Sequence, residues 1–140
     1  MGDGTVIVIG GAEDKVRDRV ILSRFVTLAG GRDATIAVVS TASSLGAEAG
    51  ERYRQIFTEL GVAKVHTLHA VTRPQANDET AALAVRDATG VFLTGGNQLR
   101  LSSTIGGTRL ADAILERFRK GAVAAGTSAG ACGPWRRPAR

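Results

Sequence analysis

Strand-like and helix-like patterns alternate five times along this chain, and that alternation limits what it can fold into. The strand-like stretches are Thr5–Gly10 (TVIVIG), Ala34–Ser40 (ATIAVVS), Val62–Ala70, Gly90–Thr94 (GVFLT) and Ala122–Ala125. The first two are short runs rich in β-branched residues, the signature of strands buried on both faces of a parallel sheet. The third is less apolar and is expected nearer an edge. Between the strands lie amphipathic segments. Leu22, Phe25, Val26 and Ala29 recur at i, i+3, i+4 and i+7, while Arg17, Arg19, Ser23 and Arg24 take other faces. Gly30-Gly31 supplies a left-handed helix end. A second helix is expected over about 47–60, with Ala49, Tyr53, Ile56, Phe57 and Leu60 on one face and Gly61 as its stop. Asn77 or Asp78 can cap a short, weakly patterned helix through Ala88. Leu99–Thr104 reads as helical. Thr108–Lys120 is a firmer helix with a stripe of Ala111, Ile114, Leu115 and Phe118, closed by Gly121.

This order predicts an α/β fold, a doubly wound parallel sheet. Right-handed crossovers would gather the strand C-termini along one edge, where such sheets bind ligands. The loops at that edge are 10–15, 40–47, 70–77, 94–98 and 126–130, and they hold the glycine-rich and polar stretches.

Length and composition narrow the class. The 140 residues suit one domain. Aromatics make up 4%, so Val, Leu, Ile and Ala must build the core. Cys132 is the only cysteine, which excludes an internal disulfide and fits a reducing cytoplasm. The start lacks a signal-peptide pattern, and no apolar run nears the roughly 18 residues of a membrane span. Three of the five net positive charges come from Arg136, Arg137 and Arg140. Without them the balance is unremarkable, and no basic block with interleaved aromatics occurs, so neither nucleic acid nor membrane is an expected partner.

The chemistry concentrates in GTSAG (Gly126–Gly130), directly after the fifth strand. A nucleophile elbow needs glycine two before and two after its serine, because the strand-to-helix turn is too tight for side chains there. Gly126 and Gly130 meet that need around Ser128. The N–H of Ala129 would face a developing oxyanion, and the Gly95-Gly96 turn after the fourth strand offers a second donor. Asn97 and Gln98 would stand at the pocket mouth. The bland alternatives are an ordinary glycine-rich turn after a strand, a phosphate-binding turn or a hinge. A base for Ser128 is not apparent. His66 and His69, three apart in a strand, point to opposite faces, and His66 is mid-strand; both read as structural or surface histidines. Glu13 and Asp14 could reach the edge, but an acid without a base completes no triad. Gly10-Gly11 fits no dinucleotide fingerprint, no phosphate-loop lysine follows, and neither a cofactor nor a metal site is expected.

VIGGAEDK (Val8–Lys15), FVTLAGG (Phe25–Gly31), STAS (Ser40–Ser43), FLTGGNQLRL (Phe92–Leu101), GGT (Gly106–Thr108) and GTSAGA (Gly126–Ala131) occur in an order that resembles the cyanophycinase and dipeptidase E family of serine peptidases. The resemblance runs over about residues 5–131 and corresponds to the N-terminal half of that family's domain. It implies a flavodoxin-like fold similar to class I glutamine amidotransferases. It also implies hydrolysis of cyanophycin, a poly-aspartate bearing arginine on its side chains, to β-Asp-Arg dipeptides. By the same resemblance Ser128 is the nucleophile, Gly96 and Ala129 form the oxyanion hole, and Gln98 lines the substrate pocket. Asn97 departs from the aspartate common in cyanophycinases. The family's histidine and acid follow the nucleophile in the second half of its domain, whereas here 132–140 (CGPWRRPAR) is an atypical tail expected to be poorly ordered. A frameshift, a premature end or a split enzyme would give such a chain. It is expected to be inactive alone, completed by a second chain or paired with itself. The rival readings are a non-catalytic remnant or interaction subunit and, behind it, a small-ligand-binding flavodoxin-like domain.

Overall fold

The computed structural model describes residues 6–9, 15–40, 47–70, 72–94 and 103–127. Five strands, β1 (Val6–Ile9), β2 (Thr35–Val39), β3 (Lys64–Leu68), β4 (Gly90–Leu93) and β5 (Val123–Thr127), form one parallel sheet in the order β1-β5-β4-β2-β3. Strands β3-β2-β4-β5 follow the order 2-1-3-4 with which a flavodoxin-like sheet begins, and β1 lies outside β5. As expected from its polar content, β3 is an edge strand, with Lys64, His66 and Thr67 exposed. A charged, polar edge discourages pairing with another chain.

Helices cover both faces. Helices α1 (Lys15–Ala29) and α2 (Ala47–Glu59) pack on one side, where Leu22, Phe25, Val26, Ala29 and Phe57 meet Ile36, Val38, Phe92, Val123 and Ala125. Phe92 anchors an aromatic group, its ring centroid 4.6 Å from Tyr53, 5.4 Å from Phe57 and 6.0 Å from Phe25. On the other side Ala37, Val39, Val91 and Leu93 pack with helices α4 (Glu79–Arg86) and α5 (Arg109–Arg119), which contribute Ala82, Val85, Leu110, Ala111, Ala113 and Ile114. Side chains of β2 and β4 alternate between these layers, as a strand period of two requires.

Helix ends follow local chemistry. Gly61 and Gly121 close α2 and α5 with φ of 101°, a conformation that side chains disfavour. The segment expected as one weak helix is two. A short helix α3 (Arg73–Ala76) carries a capping box from Thr72 and Gln75. The cap of α4 is Asp78, which accepts from Thr80 N–H; Asn77 instead accepts from Arg109 N–H at 3.0 Å. The buried stripe of α5 includes Leu110 and Ala113, while Leu115 and Phe118 are half-buried. Ala111 and Ile114 of the expected stripe are buried, and because α5 packs against α4 as well as the sheet its buried face also takes in Leu110 and Ala113. Within the expected helix 99–104, residues 103–105 are helical and 99–102 lie outside the described residues.

Candidate active site

All five strands end at the same edge, and the order of the sheet decides which loops leave it side by side. β4 and β5 are hydrogen-bonded neighbours with Leu93 opposite Gly126. The ladder continues past β4, since Thr94 N–H donates to Val39 O at 3.0 Å. In sequence, Gly95 follows Thr94 and Ser128 follows Thr127. The two strands that precede the glycine motifs are thus adjacent, although their register partners Leu93 and Gly126 are 33 positions apart in sequence. The motif residues Gly96, Asn97, Gln98, Ser128 and Ala129 lie outside the described residues, as does the tail 132–140.

The sheet also contains a topological switch point. After β2 the chain enters α2 on the aromatic face, whereas the described helix α5 between β4 and β5 covers the opposite face. Adjacent strands whose connections leave to opposite faces open a crevice at their C-terminal ends. Ser40 and Thr94 are the first residues beyond β2 and β4 there, 1% and 2% exposed.

The structure brings together a pair that the sequence reading left separate. Ser40 Oγ lies 2.9 Å from His69 Nδ1, and Ser40 N–H donates to Leu68 O at 2.9 Å. The signal for this pair is positional: each residue directly follows a strand, and Val39 opposite Leu68 sets Ser40 beside His69. His66 lies within β3 and is exposed. His69 is half-buried at the edge, but β2 and β4 separate β3 from β5. At 4.7–4.9 Å per strand, three spacings put it about 14 Å from the line of β5. Its Nδ1 is already engaged. Neither histidine is positioned as a base for a residue following β5.

Among the described residues, no group of three or more His, Cys, Asp or Glu is arranged to hold a metal ion. Among them, too, no helix is long and apolar enough to cross a membrane.

Comparison with known proteins bears on the family and the fold. The model of peptidase family S51 matches residues 6–133. The cyanophycinase of Geminocystis herdmanii (strain PCC 6308) is 44% identical over 128 residues, covering 91% of this chain and 47% of that protein. The cyanophycinase of Trichormus variabilis is 44% identical over 127 residues, covering 90% and 43%. That of Synechococcus elongatus is 42% identical over 129 residues, covering 91% and 40%. The chain therefore spans less than half the length of these curated relatives. Two solved structures share the fold at 22% identity. A peptidase from an acI-B1 Actinobacterium superposes with a TM-score of 0.76 over 91% of this chain and 55% of its own. A putative peptidase E protein from Listeria monocytogenes EGD-e gives 0.68 over 92% and 60%.

Proposed function

This chain belongs to peptidase family S51, and from that premise we propose that it is the N-terminal part of a cyanophycin-hydrolysing serine peptidase domain, inactive until the remaining part joins it. The observation that carries the reading is the adjacency of β4 and β5, because acyl transfer needs a nucleophile and oxyanion donors within a few ångströms. In this reading Ser128 attacks the amide carbonyl. The N–H groups of Gly96 and Ala129 hold the oxyanion, and Asn97 and Gln98 contact the β-aspartyl-arginine substrate. A histidine and an acid from the remaining part take and return the proton. Without a base a serine hydroxyl is a poor nucleophile, and His66 and His69 are separated from β5 by two strands. In this reading residues 1–131 are the family portion, close to the matched stretch 6–133, 132–140 is an atypical tail, and the cytoplasm is the compartment that suits a single cysteine.

The test is β-Asp-Arg release from cyanophycin by three samples. These are the chain alone, its Ser128→Ala variant, and the chain mixed with a polypeptide carrying the part of the Geminocystis herdmanii cyanophycinase beyond the matched stretch. Release is expected only from the mixture. Release by the chain alone above the Ser128→Ala level overturns the dependence on a second part. No release from the mixture overturns the peptidase reading.

A further inference from the structure

Helices α4 and α5 lie side by side over the aliphatic layer, and a cleft of about 220 Å3 runs between them. Each connects strands of a parallel sheet, so both run against the strands and parallel to each other. The bond from Arg109 N–H to Asn77 Oδ1 at 3.0 Å sets their first turns level. Glu79 therefore stands across from Arg109, and Arg86 across from Glu116, with Asp112 between the two levels. The floor is Ala82 and Ala113, 2% and 6% exposed.

Glu116 is engaged. Lys120 bonds it at 3.1 Å, and that bond, followed by the charges of Lys120, Arg86 and Arg117, holds its carboxyl below the ordinary value. The other four charges of the cleft are not engaged. Among the described residues the side chains of Glu79, Arg86, Arg109 and Asp112 form no ion pair and no hydrogen bond, although opposite signs stand on facing walls. Two guanidiniums and two carboxylates are thus held apart over an apolar floor. In open water such charges would gain little from one another. A cleft with low-dielectric walls focuses their field and lets one bound molecule meet both signs. Bonds between guanidinium and carboxylate are charge-assisted and directional. The space is smaller than the roughly 300–1,000 Å3 of drug-sized pockets and suits a group the size of an amino acid.

We propose that the α4–α5 cleft binds a zwitterion carrying a guanidinium and a carboxylate, the cation between Glu79 and Asp112 and the carboxylate on Arg86. The level of Arg86 lies four residues of helix beyond Asp112, about 6 Å, so one molecule spans both. A β-aspartyl-arginine unit has this chemistry, as a free dipeptide and as a side chain of cyanophycin. In the free dipeptide the aspartyl carboxylate is left for Arg109. Naming that unit as the occupant rests on the peptidase reading; the charges of the cleft do not.

Titration of the whole chain with synthetic β-Asp-Arg, followed by calorimetry and amide NMR shifts, tests the site without any catalysis. Saturable binding is expected, with the largest shifts in 79–86 and 109–116. Asp112→Asn and Arg86→Gln should each weaken it about tenfold, since each removes a charge-assisted contact, while Ser128→Ala leaves it unchanged. Both replaced side chains are exposed, and a melting temperature equal to wild type checks that the fold is kept. Agmatine, a guanidinium without a carboxylate, should bind at least about tenfold more weakly. Co-sedimentation with cyanophycin separates the sources. Binding of the dipeptide identifies a site for product, binding of the polymer alone a tether for substrate, and either sustains the proposal. No saturable binding of dipeptide or polymer, equal binding of agmatine, or binding indifferent to Asp112→Asn and Arg86→Gln overturns it. Dipeptide release by the mixture with the Geminocystis herdmanii polypeptide is a separate readout: its failure removes the peptidase reading, and the titration still decides the cleft.

Discussion

Ser40 and His69 are 29 residues apart in sequence and 2.9 Å apart in the fold. The serine is 1% exposed, so no substrate carbonyl reaches it, and the pair ties the ends of β2 and β3 together. Ser40→Ala leaves His69 Nδ1 half-buried without its partner. A loss of about 1 kcal/mol in unfolding free energy is expected, measured by urea denaturation with wild type as the reference; an unchanged midpoint would show the bond to be replaced by water. The pairing was not legible beforehand because register sets it, and register emerges only when two strands dock. The hydroxyl of Thr94, buried without a hydrogen-bond partner among the described residues, was hidden for the same reason: FLTGG reads as a strand and a turn, and nothing local says which neighbours Thr94 lacks. Ser128 is the opposite case. Its candidacy rests on the flanking glycines and the strand before them, so a motif is enough to single it out, and the same reading already set His66 and His69 aside; the strand order adds how far β3 lies from β5.

Elements were legible where one physical signal dominated. In α1 the i, i+3, i+4, i+7 positions Leu22, Phe25, Val26 and Ala29 are all buried. In α5 the buried face depends on what packs around the helix: the pattern found Ala111 and Ile114 but not Leu110 and Ala113, which are buried beside them. Two glycines test how tightly the helices meet the sheet. Gly50 lies buried in α2, and a Cβ there would meet Ser40 Oγ at 3.4 Å and Thr67 Cβ at 3.6 Å, ordinary contact distances. Gly50→Ala is therefore expected to stabilise by about 0.5–1 kcal/mol through helix propensity. Gly90 opens β4 under α1, and its Cβ would stand 2.9 Å from Phe25 Cζ and 3.0 Å from Ala29 Cβ. Gly90→Ala must push α1 off the sheet, at a cost of about 1–3 kcal/mol. Thermal melts of the two variants should move in opposite directions. A shift of the same sign for both would mean that the α1 and α2 contacts with the sheet are not as described.

At the scale of the molecule the layered fold was legible because alternation of strands and helices with short connections admits few arrangements. The position of β1 was not, since β1 pairs with the last described strand and no nearby residue signals it. That long-range closure bears on how the chain unfolds. The aromatic layer holds Phe25, Phe57 and Phe92, and the opposite layer is aliphatic, built around Leu110, Ile114, Val85 and Leu93. The layers share β2 and β4, whose successive residues face alternately into each: Ile36 and Val38 one way, Ala37 and Val39 the other. Neither layer can open without stripping one face of the same strands. Ile114 is fully buried, so Ile114→Ala should cost about 2–5 kcal/mol through lost contacts and a residual cavity. Although Ile114 lies across the sheet from the aromatic layer, the substitution should lower the unfolding midpoint of both layers equally. The measurement is fluorine NMR of labelled phenylalanine, in which Phe25, Phe57 and Phe92 report the aromatic layer, alongside far-ultraviolet circular dichroism for all the helices. Coincident midpoints, both shifted, are expected for a sheet that couples its two faces. Phenylalanine signals that keep the wild-type midpoint while helicity falls early would mean that the layers melt independently, and that β2 and β4 do not transmit the loss.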